Sequence, residues 1–518
     1  MFHVLVVRAD GTQWRPKHVT IMPFRYIING GCYAATIKIA QTRDLPRHYD
    51  RLEIWDNLKR LWFGQIEDIG NDSNTGEITI KALGYSAYLK EISIARHWID
   101  TGFAHWGQVP PTPPTDSWQW DSIEKDNNNR LFFRIPRDQV VNGNLAAGLY
   151  YRRCNTDAIN QTIHSIEFTI ESLAEFDSAE SEMQLNSYSS NFSDAVNEFA
   201  LGGSGAQGPT GTSDTITAAK KALAFFFDGQ GAHTPTTDNY VVKITSVRVN
   251  GLTGFESGDT PKADDFIKDI LTNFASEVST DQSDIAAGTF TITDMVEDGS
   301  NCLALINRIN EVEDYHWGFY EIEDSGGDEK PKFQYKAIER GTVDYTLDQT
   351  MGKLKLSGTS VENVFNAVRV KFRTTEGRTT SVTRTATVAL LDDVSRTKTA
   401  EIRVDTESTA KAQEAGDAFL AEHGRLKVKG SFTITGDAYH NSRGFLPAWE
   451  MRPGEIVHIR DLDPTPETLT EIASGTVMNG RNVFIIKAID VDPNTKKVRL
   501  ELDVISNRLD LLLARKTA

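Results

Sequence analysis

The chain has 518 residues, 39% of them hydrophobic and 25% charged, a length and composition that allow two to four globular domains with separate cores. No run approaches the roughly 18 apolar residues that a membrane-spanning helix needs, so such a span is excluded. The formal net charge is -17, and residues 155–350 carry 34 acidic against 11 basic residues, which argues against sequence-specific nucleic-acid binding because phosphates are repelled.

Residues 1–96 are predicted to form a first β module with little helix. The segment begins with MFHVLVVRADG, a strand that ends in an Asp10-Gly11 turn and is too short and too alternating for a signal peptide. Four further runs alternate apolar and polar residues as half-buried strands do: YAATIKIAQ, RLEIWDN, LWFGQIEDI and GEITIKALG. This spacing predicts a small barrel or sandwich.

Residues 97–255 differ in composition from the first module and are predicted to form an inserted β-sandwich. The segment opens with the Pro-rich stretch HWIDTGFAHWGQVPPTPPTDSWQW, which carries four of the nine tryptophans. β-like runs follow, among them RLFFRIP, HSIEFTIES, EMQLNSY and YVVKITSVRVNG.

Residues 256–353 are predicted to form a small α+β domain. Apolar residues share one helical face in ADDFIKDILTNFASEV, and SNCLALINRINEVE shows the same period. The runs HWGFYEIED and KFQYKAIER then pair as a hairpin.

Residues 354–518 return to strands and are predicted to form a second β module with one helix, STAKAQEAGDAFLAEHG. The stretch MRPGEIVHIRDLDP illustrates its character: a tight Pro453-Gly454 turn precedes an alternating strand that holds no reactive group. The fold class predicted for the whole chain is therefore mainly β with minor α+β parts.

An internal sequence similarity connects the two end modules. Each of the two hairpins carries an Asp/Asn turn between strands of the same inward phase. Seven positions coincide at a displacement of 420 residues: Ile66/Ile486, Ile69/Ile489, Asp72/Asp492, Asn74/Asn494, Thr75/Thr495, Ile78/Val498 and Ile80/Leu500. A duplicated module and convergence on common turn residues both explain the match, and the two alternatives stay open.

No pattern in the chain predicts catalysis. Phosphate-binding loops, nucleophile elbows and His-Glu-x-x-His motifs are missing from the sequence. Adjacent acids such as Asp264 and Asp265 are typical of helix N-termini and solvated turns. Cys32, Cys154 and Cys302 lie far apart and are interpreted as buried, reduced thiols. The prediction is a protein that is not an enzyme, with no catalytic residue and no cofactor.

The Trp-rich segment contains two candidate sites. His97 and His105 are eight residues apart, a spacing that does not share one helix face, and no carboxylate is obviously placed as a third ligand, so no metal is predicted. Aromatic faces stack on sugar rings, which makes the four tryptophans candidate carbohydrate contacts, although burial between domains is the favoured alternative. These candidates are Trp98, Trp106, Trp118 and Trp120.

The ends of the chain resemble phage tail-tip, or baseplate, hub proteins, a family related in fold to the type VI secretion spike base. The resemblance covers roughly residues 1–95 and 260–505. It is carried by a pattern of strands and turns in RLEIWDNLKRLWFGQIEDI, GEITIKALGYSAYLKEI, NVFNAVRVKF, GFLPAWEMRPGEIVHIRD and FIIKAIDVDPNTKKVRLELD. It implies two β-barrel hub modules per chain, with three chains forming a pseudo-sixfold ring that joins a tail tube to a threefold tip.

Residues 97–255 depart from a minimal hub. They are similar to galactose-binding jelly rolls, and thus like a carbohydrate-binding module, but no motif residue can be carried over. The resemblance implies a homotrimer that contacts tail-tube and tail-fibre or tip proteins, lies at the tip of the virion tail and is assembled in the host cytoplasm. A receptor-binding adhesion protein that contacts a host surface glycan is the alternative, and a tail-associated cell-wall hydrolase is less favoured.

Overall fold

The computed structural model describes most of the two chain ends and the strands between them. The described residues are 2–40, 45–72, 74–107, 123–125, 130–135, 144–151, 163–172, 181–188, 196–202, 210–214, 222–230, 239–252, 255, 260–313, 315–325, 328–339, 342–358, 365–373, 379–385, 398–404, 409–423, 428–460 and 482–503. Within these residues, no helix has the length and apolarity needed to cross a membrane.

Strands dominate the described residues, which confirms the predicted mainly β class. The strands up to residue 83 are β1 (Phe2–Val7), β2 (Gln13–Trp14), β3 (Val19–Ile21), β4 (Phe24–Ile27), β5 (Asn29–Ala40), β6 (Arg51–Asp56), β7 (Lys59–Asp72) and β8 (Glu77–Leu83). The strands of the middle region are β9 (Ser93–Thr101), β10 (Trp106–Gly107), β11 (Ile123–Lys125), β12 (Leu131–Ile135), β13 (Asn144–Tyr151), β14 (Ser165–Ser172), β15 (Ser181–Tyr188), β16 (Val196–Gly202), β17 (Thr210–Asp214), β18 (Ala222–Gln230), β19 (Asn239–Asn250) and β20 (Met295–Asn301).

The remaining strands lie after residue 301, and the helices are given with them. The strands are β21 (Tyr315–Ser325), β22 (Asp328–Ala337), β23 (Tyr345–Asp348), β24 (Gly352–Gly358), β25 (Ala367–Arg373), β26 (Thr379–Thr385), β27 (Thr399–Arg403), β28 (Val428–Thr435), β29 (Asp437–His440), β30 (Gly444–Pro447), β31 (Ile456–Arg460), β32 (Val483–Asp492) and β33 (Lys497–Asp503). The α-helices are α1 (Ala263–Phe274), α2 (Cys302–Glu313) and α3 (Thr409–His423). Short 3₁₀ helices lie at Tyr88–Lys90, Gln349–Met351 and Ala448–Glu450.

The chain divides into two units. The first comprises residues 1–92, 271–287 and 301–518, and the second comprises residues 93–270 and 288–300. The division into four domains at 1–96, 97–255, 256–353 and 354–518 stays a prediction.

The first unit is built on one 18-stranded sheet to which both chain ends contribute. In the residues described, the sheets are not closed barrels. Strands of both end modules belong to one hydrogen-bonded sheet. The strands of the end modules alternate buried and more exposed side chains. In β8 the residues Ile78, Ile80 and Ala82 are buried while Lys81 is exposed. A separate sheet, in the order β26-β25-β27, packs its buried Val370 and Phe372 into one apolar core with Ala412 and Ala415 of α3.

The second unit contains two antiparallel sheets, which agrees with the sandwich predicted for the insertion. One sheet has the order β10-β13-β18-β15-β16, and the other runs β11-β12-β19-β14-β17 with β9 and β20 attached beyond β19. Phe225 of the first sheet and Phe168 of the second are buried, with ring centroids 5.4 Å apart. The two sheets therefore pack face to face around an aromatic core.

Candidate functional site

Two sets of five strands in the first unit have the same topology. We call β3, β5, β6, β7 and β8 the N-terminal copy, and β24, β28, β31, β32 and β33 the C-terminal copy. The spatial order is β3-β5-β8-β7-β6 in the first and β24-β28-β33-β32-β31 in the second, and every neighbouring pair is antiparallel. Since the order of the strands along the chain and their directions agree between the two copies, the internal sequence similarity reflects a structural repeat.

The two copies also share the register of one strand pair and a shift in that register. The pairing of β7 with β8 shifts register between Ile66 and Asp68. The pairing of β32 with β33 shifts between Ile486 and Ala488, the positions that match by the same displacement of 420 residues. A β-bulge of this kind bends a strand and increases its twist, so the two copies curve at the same point.

The tight turns that follow these strands also match. The backbone N–H of Asn74 donates to the Asp72 carboxylate at 2.9 Å, and that of Asn494 donates to Asp492 at 3.0 Å. In both cases an aspartate accepts from the backbone two residues on, which fixes the turn and with it the register of the strand that leaves it.

The turn before β6 shows how the N-terminal copy begins its third strand. The Arg47 N–H donates to the Asp50 carboxylate at 2.7 Å, and the Asp50 N–H donates back to the Arg47 carbonyl at 3.2 Å. Between them Tyr49 has a φ of 69°, and its N–H donates to the Ile66 carbonyl at 2.8 Å beside the bulge. The turn is therefore attached to β7 at the point where register shifts.

The Pro453-Gly454 turn before β31 repeats this arrangement. The Arg452 N–H donates to the Glu455 carboxylate at 2.6 Å. Gly454 has a φ of 96°, and its N–H donates to the Ile486 carbonyl at 2.8 Å. The stretch that holds no reactive group thus has a structural task, which is to anchor β31 to the bulge of β32.

The C-terminal turn is buried and electrostatically unusual. The Arg452 guanidinium lies over the rings of Tyr26 and Tyr320, with its carbon 5.1 and 5.9 Å from their centroids. Burial raises the pKa of the Glu455 carboxyl to about 7, against the opposing effect of Arg452. This turn joins the C-terminal copy to β4 and β21, since Tyr26 and Tyr320 lie on those strands.

The two copies differ beyond the bulge. In the C-terminal copy, residues 488–491 of β32 pair with β4 on the edge opposite β33, and Ala488, Ile489 and Val491 are buried. The matching residues 68–71 of β7 pair with β8 only, as far as the structure describes strand pairings, and Asp68, Gly70 and Asn71 are exposed. One copy therefore has a covered edge and the other an open one.

An ion-pair bridge accompanies the covered edge. Arg25 of β4 lies 3.2 Å from the Asp490 carboxylate and 2.9 Å from that of Glu501. The Asn494 side-chain amide also donates to the Ile21 carbonyl at 2.9 Å. The Arg25 ion pairs orient β4 on β32, and the Asn494 contact attaches the following turn to β3, although partly exposed ion pairs contribute little to stability.

A different kind of cluster lies in the second unit. His97 and Asp100 lie on β9, His105 lies between β9 and β10, and Tyr151 ends β13. The Asp100 Oδ2 atom is 2.6 Å from His105 Nδ1, 3.4 Å from His97 Nδ1 and 2.6 Å from the Tyr151 hydroxyl, which donates to it. His97 Nδ1 is in turn 2.9 Å from that hydroxyl.

Burial and hydrogen bonding oppose each other at this cluster. His97, Asp100 and Tyr151 are buried, and the His105 side chain is 20% exposed. Burial disfavours the charged form of Asp100, but hydrogen bonds from His97, Tyr151 and His105 outweigh it and hold its pKa below the ordinary value. Burial, together with the charge of Asp100, raises the pKa of nearby Asp294.

No carboxylate was obviously placed as a third ligand in the sequence, and the structure brings Asp100 within 3.4 Å of the Nδ1 atoms of both His97 and His105. Residues three apart on a regular strand point to opposite faces, so the alternation of β9 predicts that His97 and Asp100 diverge. The one available signal was that Asp100 falls in the nine-residue window bounded by the two histidines.

The tryptophans proposed as carbohydrate contacts are buried where the structure describes them. Trp98 is fully buried and donates its ring N–H to Asp269 at 2.7 Å. Trp106 is 8% exposed and stacks on Phe225. Trp118 and Trp120 lie outside the described residues. Carbohydrate contact by this segment stays a prediction.

Comparison with known proteins gives matches among solved structures alone. No protein-family model and no curated protein matches the chain. It is similar to the tail protein from Neisseria meningitidis, with 9% identity, coverage of 98% of this chain and 99% of that chain, and a TM-score of 0.43. For a prophage 43 kDa tail protein from Shewanella oneidensis the identity is 10%, both coverages are 98% and the TM-score is 0.44.

A prophage tail protein from Listeria monocytogenes is also similar, with 9% identity, coverage of 99% and 98%, and a TM-score of 0.36. All three are tail proteins, the class that the sequence resembles. Identities and TM-scores this low carry no argument about function, which has to come from the geometry of the chain itself.

Proposed function

We propose that the protein is a structural, non-catalytic hub of a phage tail tip, built as a homotrimer that closes the tail tube and joins it to tip or fibre proteins. The observation that carries the proposal is the repeated five-strand motif with one covered and one open edge. A duplicated module suits a part that builds a ring from repeated contacts.

The covered edge indicates what the open edge binds. In the C-terminal copy, β4 adds a strand to β32 beyond the bulge. At the equivalent edge of β7, residues 68–71 have no second strand partner among the residues that the structure describes, which makes this edge a template for another strand. A strand that adjoins the C-terminal copy of a neighbouring chain fits that position, as β4, which adjoins the N-terminal copy, fits the edge of β32.

This contact is heterologous: the N-terminal copy of one chain meets the C-terminal copy of the next. Heterologous contacts form a closed ring when the rotation between subunits closes. Three chains with two copies each would place six similar modules around one axis, which is the arrangement that the sequence resemblance implies. Such a ring matches a sixfold tube on one face and a threefold tip on the other.

A single edge substitution tests the assembly. Gly70 lies in the open edge, and an added Cβ there would meet only the Thr79 carbonyl at 3.9 Å, so the chain has room for a side chain. We expect Gly70→Lys to leave the fold intact and to block strand addition, since a lysine on an edge strand opposes pairing. Native mass spectrometry should find wild-type trimers and Gly70→Lys monomers.

The matched control is Thr380→Lys, which places the same charge on exposed β26 at the edge of the small sheet. This variant should assemble as the wild type does. A wild-type chain that stays monomeric at every concentration, or a Gly70→Lys chain that still forms trimers, would rule out the proposed ring.

A further inference from the structure

We propose that His97, Asp100 and His105 form a binding site for one divalent transition-metal ion, with zinc the first candidate, inside the second unit. This site is separate from the proposed assembly function, which rests on the first unit. The three residues each offer one donor atom, and these atoms lie within 4.8 Å of one another.

The donor geometry suits a small tetrahedral site. Zinc binds histidine nitrogen and carboxylate oxygen at about 2.0–2.2 Å, which separates neighbouring ligand atoms by roughly 3.3 Å. The His97 Nδ1–Asp100 Oδ2 distance of 3.4 Å already has that value. The His105 Nδ1–Asp100 Oδ2 distance of 2.6 Å is shorter than that value, and all three donors lie within 4.8 Å of one another, so a shift of the partly exposed His105 ring would complete the site.

The chemistry of the donors narrows the ion. Imidazole nitrogen suits zinc, copper, iron and nickel, whereas magnesium and calcium prefer sites made of oxygen alone. Two histidines and one carboxylate therefore favour a transition metal. Zinc fits best because it accepts tetrahedral N/O coordination without any redox demand on the site.

Tyr151 supplies the support that a ligating carboxylate normally has. Its hydroxyl donates to Asp100 Oδ2 at 2.6 Å and is fully buried, so it fixes the orientation of the carboxylate. The His105 side chain is 20% exposed, which leaves an approach from solvent on its side. The buried half of the cluster is thus held in place while the exposed half can admit an ion.

Binding would replace protons by the ion. In a cluster held by hydrogen bonds alone, the His105 Nδ1–H donates to Asp100, and the His97 Nδ1–H donates to the Tyr151 hydroxyl, which in turn donates to Asp100. Metal coordination needs those nitrogens deprotonated. The two states are exclusive, so a titration distinguishes a metal site from a hydrogen-bonded cluster only.

The test uses the full chain, stripped with a chelator and titrated with zinc against a chromophoric competitor. We expect one zinc ion per chain, bound at micromolar concentration or below. Cobalt in the same site should give the intense visible absorption of tetrahedral coordination. His105→Gln should weaken zinc binding by about 100-fold, and Asp100→Asn should do the same if it folds.

His164→Ala is the matched control, because His164 belongs to the same unit and lies outside the cluster. It should bind zinc as the wild type does, with circular dichroism confirming that every variant is folded. Wild-type protein that takes up no zinc, or a folded His105→Gln variant with unchanged affinity, would overturn the proposal and leave a hydrogen-bonded cluster only.

Discussion

The N-terminal and C-terminal copies show how one strand pattern serves two surroundings. Up to the bulge they bury the same positions: Ile66 and Ile486 are both fully buried. Beyond it, β4 covers residues 488–491, whereas residues 68–71 face outward. Topology and register follow from alternation and turns within each copy, and burial follows from the neighbour that each copy acquires.

The turns before the third strands differ in the same way. Both use a residue with positive φ and the same hydrogen bonds, but Tyr49 is 68% exposed while Gly454 lies against His316. An exposed turn accepts any residue that tolerates the left-handed region. A buried one accepts glycine, because a Cβ has nowhere to go.

The largest expected effect on stability is at Gly454, in the turn that is buried. At Gly454 a Cβ would lie 2.5 Å from the ring of His316, on a backbone with a φ of 96°. We expect Gly454→Ala to lower the free energy of unfolding by at least about 3 kcal/mol, through strain and a forced shift of His316. Tyr49→Ala in the matching turn should change it by less than about 0.5 kcal/mol.

Both variants can be compared by chemical denaturation followed by circular dichroism. Equal losses in the two would mean that the turns are not distinguished by burial, contrary to the comparison. The same result would also remove the structural role assigned here to the Pro453-Gly454 turn.

The second prediction measures what β4 contributes beyond the bulge. Ile489 is fully buried in the segment of β32 that pairs with β4, and the matching Ile69 is partly exposed. Ile489→Ala should lower the free energy of unfolding by about 3 kcal/mol, and Ile69→Ala by about 1 kcal/mol.

Ile66→Ala and Ile486→Ala form the internal control for this pair. Both positions are fully buried at the bulge, so each substitution should cost about 3 kcal/mol. If Ile69→Ala cost as much as Ile489→Ala, the edge of β7 would be covered in the folded chain. The open-edge argument would then fail.

The parts of the repeat that could be found in the sequence are those that depend on neighbouring residues. The Asp72 and Asp492 turns and the alternation of the flanking strands can be found without a structure, because an aspartate that binds its own backbone and a period of two are local signals. The mainly β class and the helices α1, α2 and α3 followed from the same kind of signal.

Two features depended on tertiary contacts that the sequence does not display. The turns Arg47–Asp50 and Arg452–Glu455 share an arginine and an acid three residues later, but their equivalence rests on positive φ and on bonds to distant carbonyls. The cluster around Asp100 depends on Tyr151, which reaches it from another strand. Strand pairing between distant segments decides both, and periodicity carries no information about it.

The smallest expected effect concerns the pH dependence of the buried turn. Burial raises the pKa of Glu455 to about 7, above the ordinary value of 4.5 for a glutamate. Between these values the unfolded chain is ionised at this position and the folded chain is protonated, so the contribution of Glu455 to stability falls as pH rises from about 5 to 7 and levels off above.

Glu455→Gln keeps an acceptor for the Arg452 N–H but cannot ionise. Its free energy of unfolding should match that of the wild type near pH 5 and exceed it by about 1–3 kcal/mol near pH 8. Burial lowers the pKa of His316 to about 4, below its ordinary value of 6.5, so this ring contributes its own pH dependence below pH 7. Because both proteins contain His316, that contribution cancels in the comparison of the variant with the wild type. Urea unfolding at the two pH values provides the measurement. A variant that loses stability in parallel with the wild type across this range would show that Glu455 is ionised in the folded chain, and that Arg452 outweighs burial at this turn.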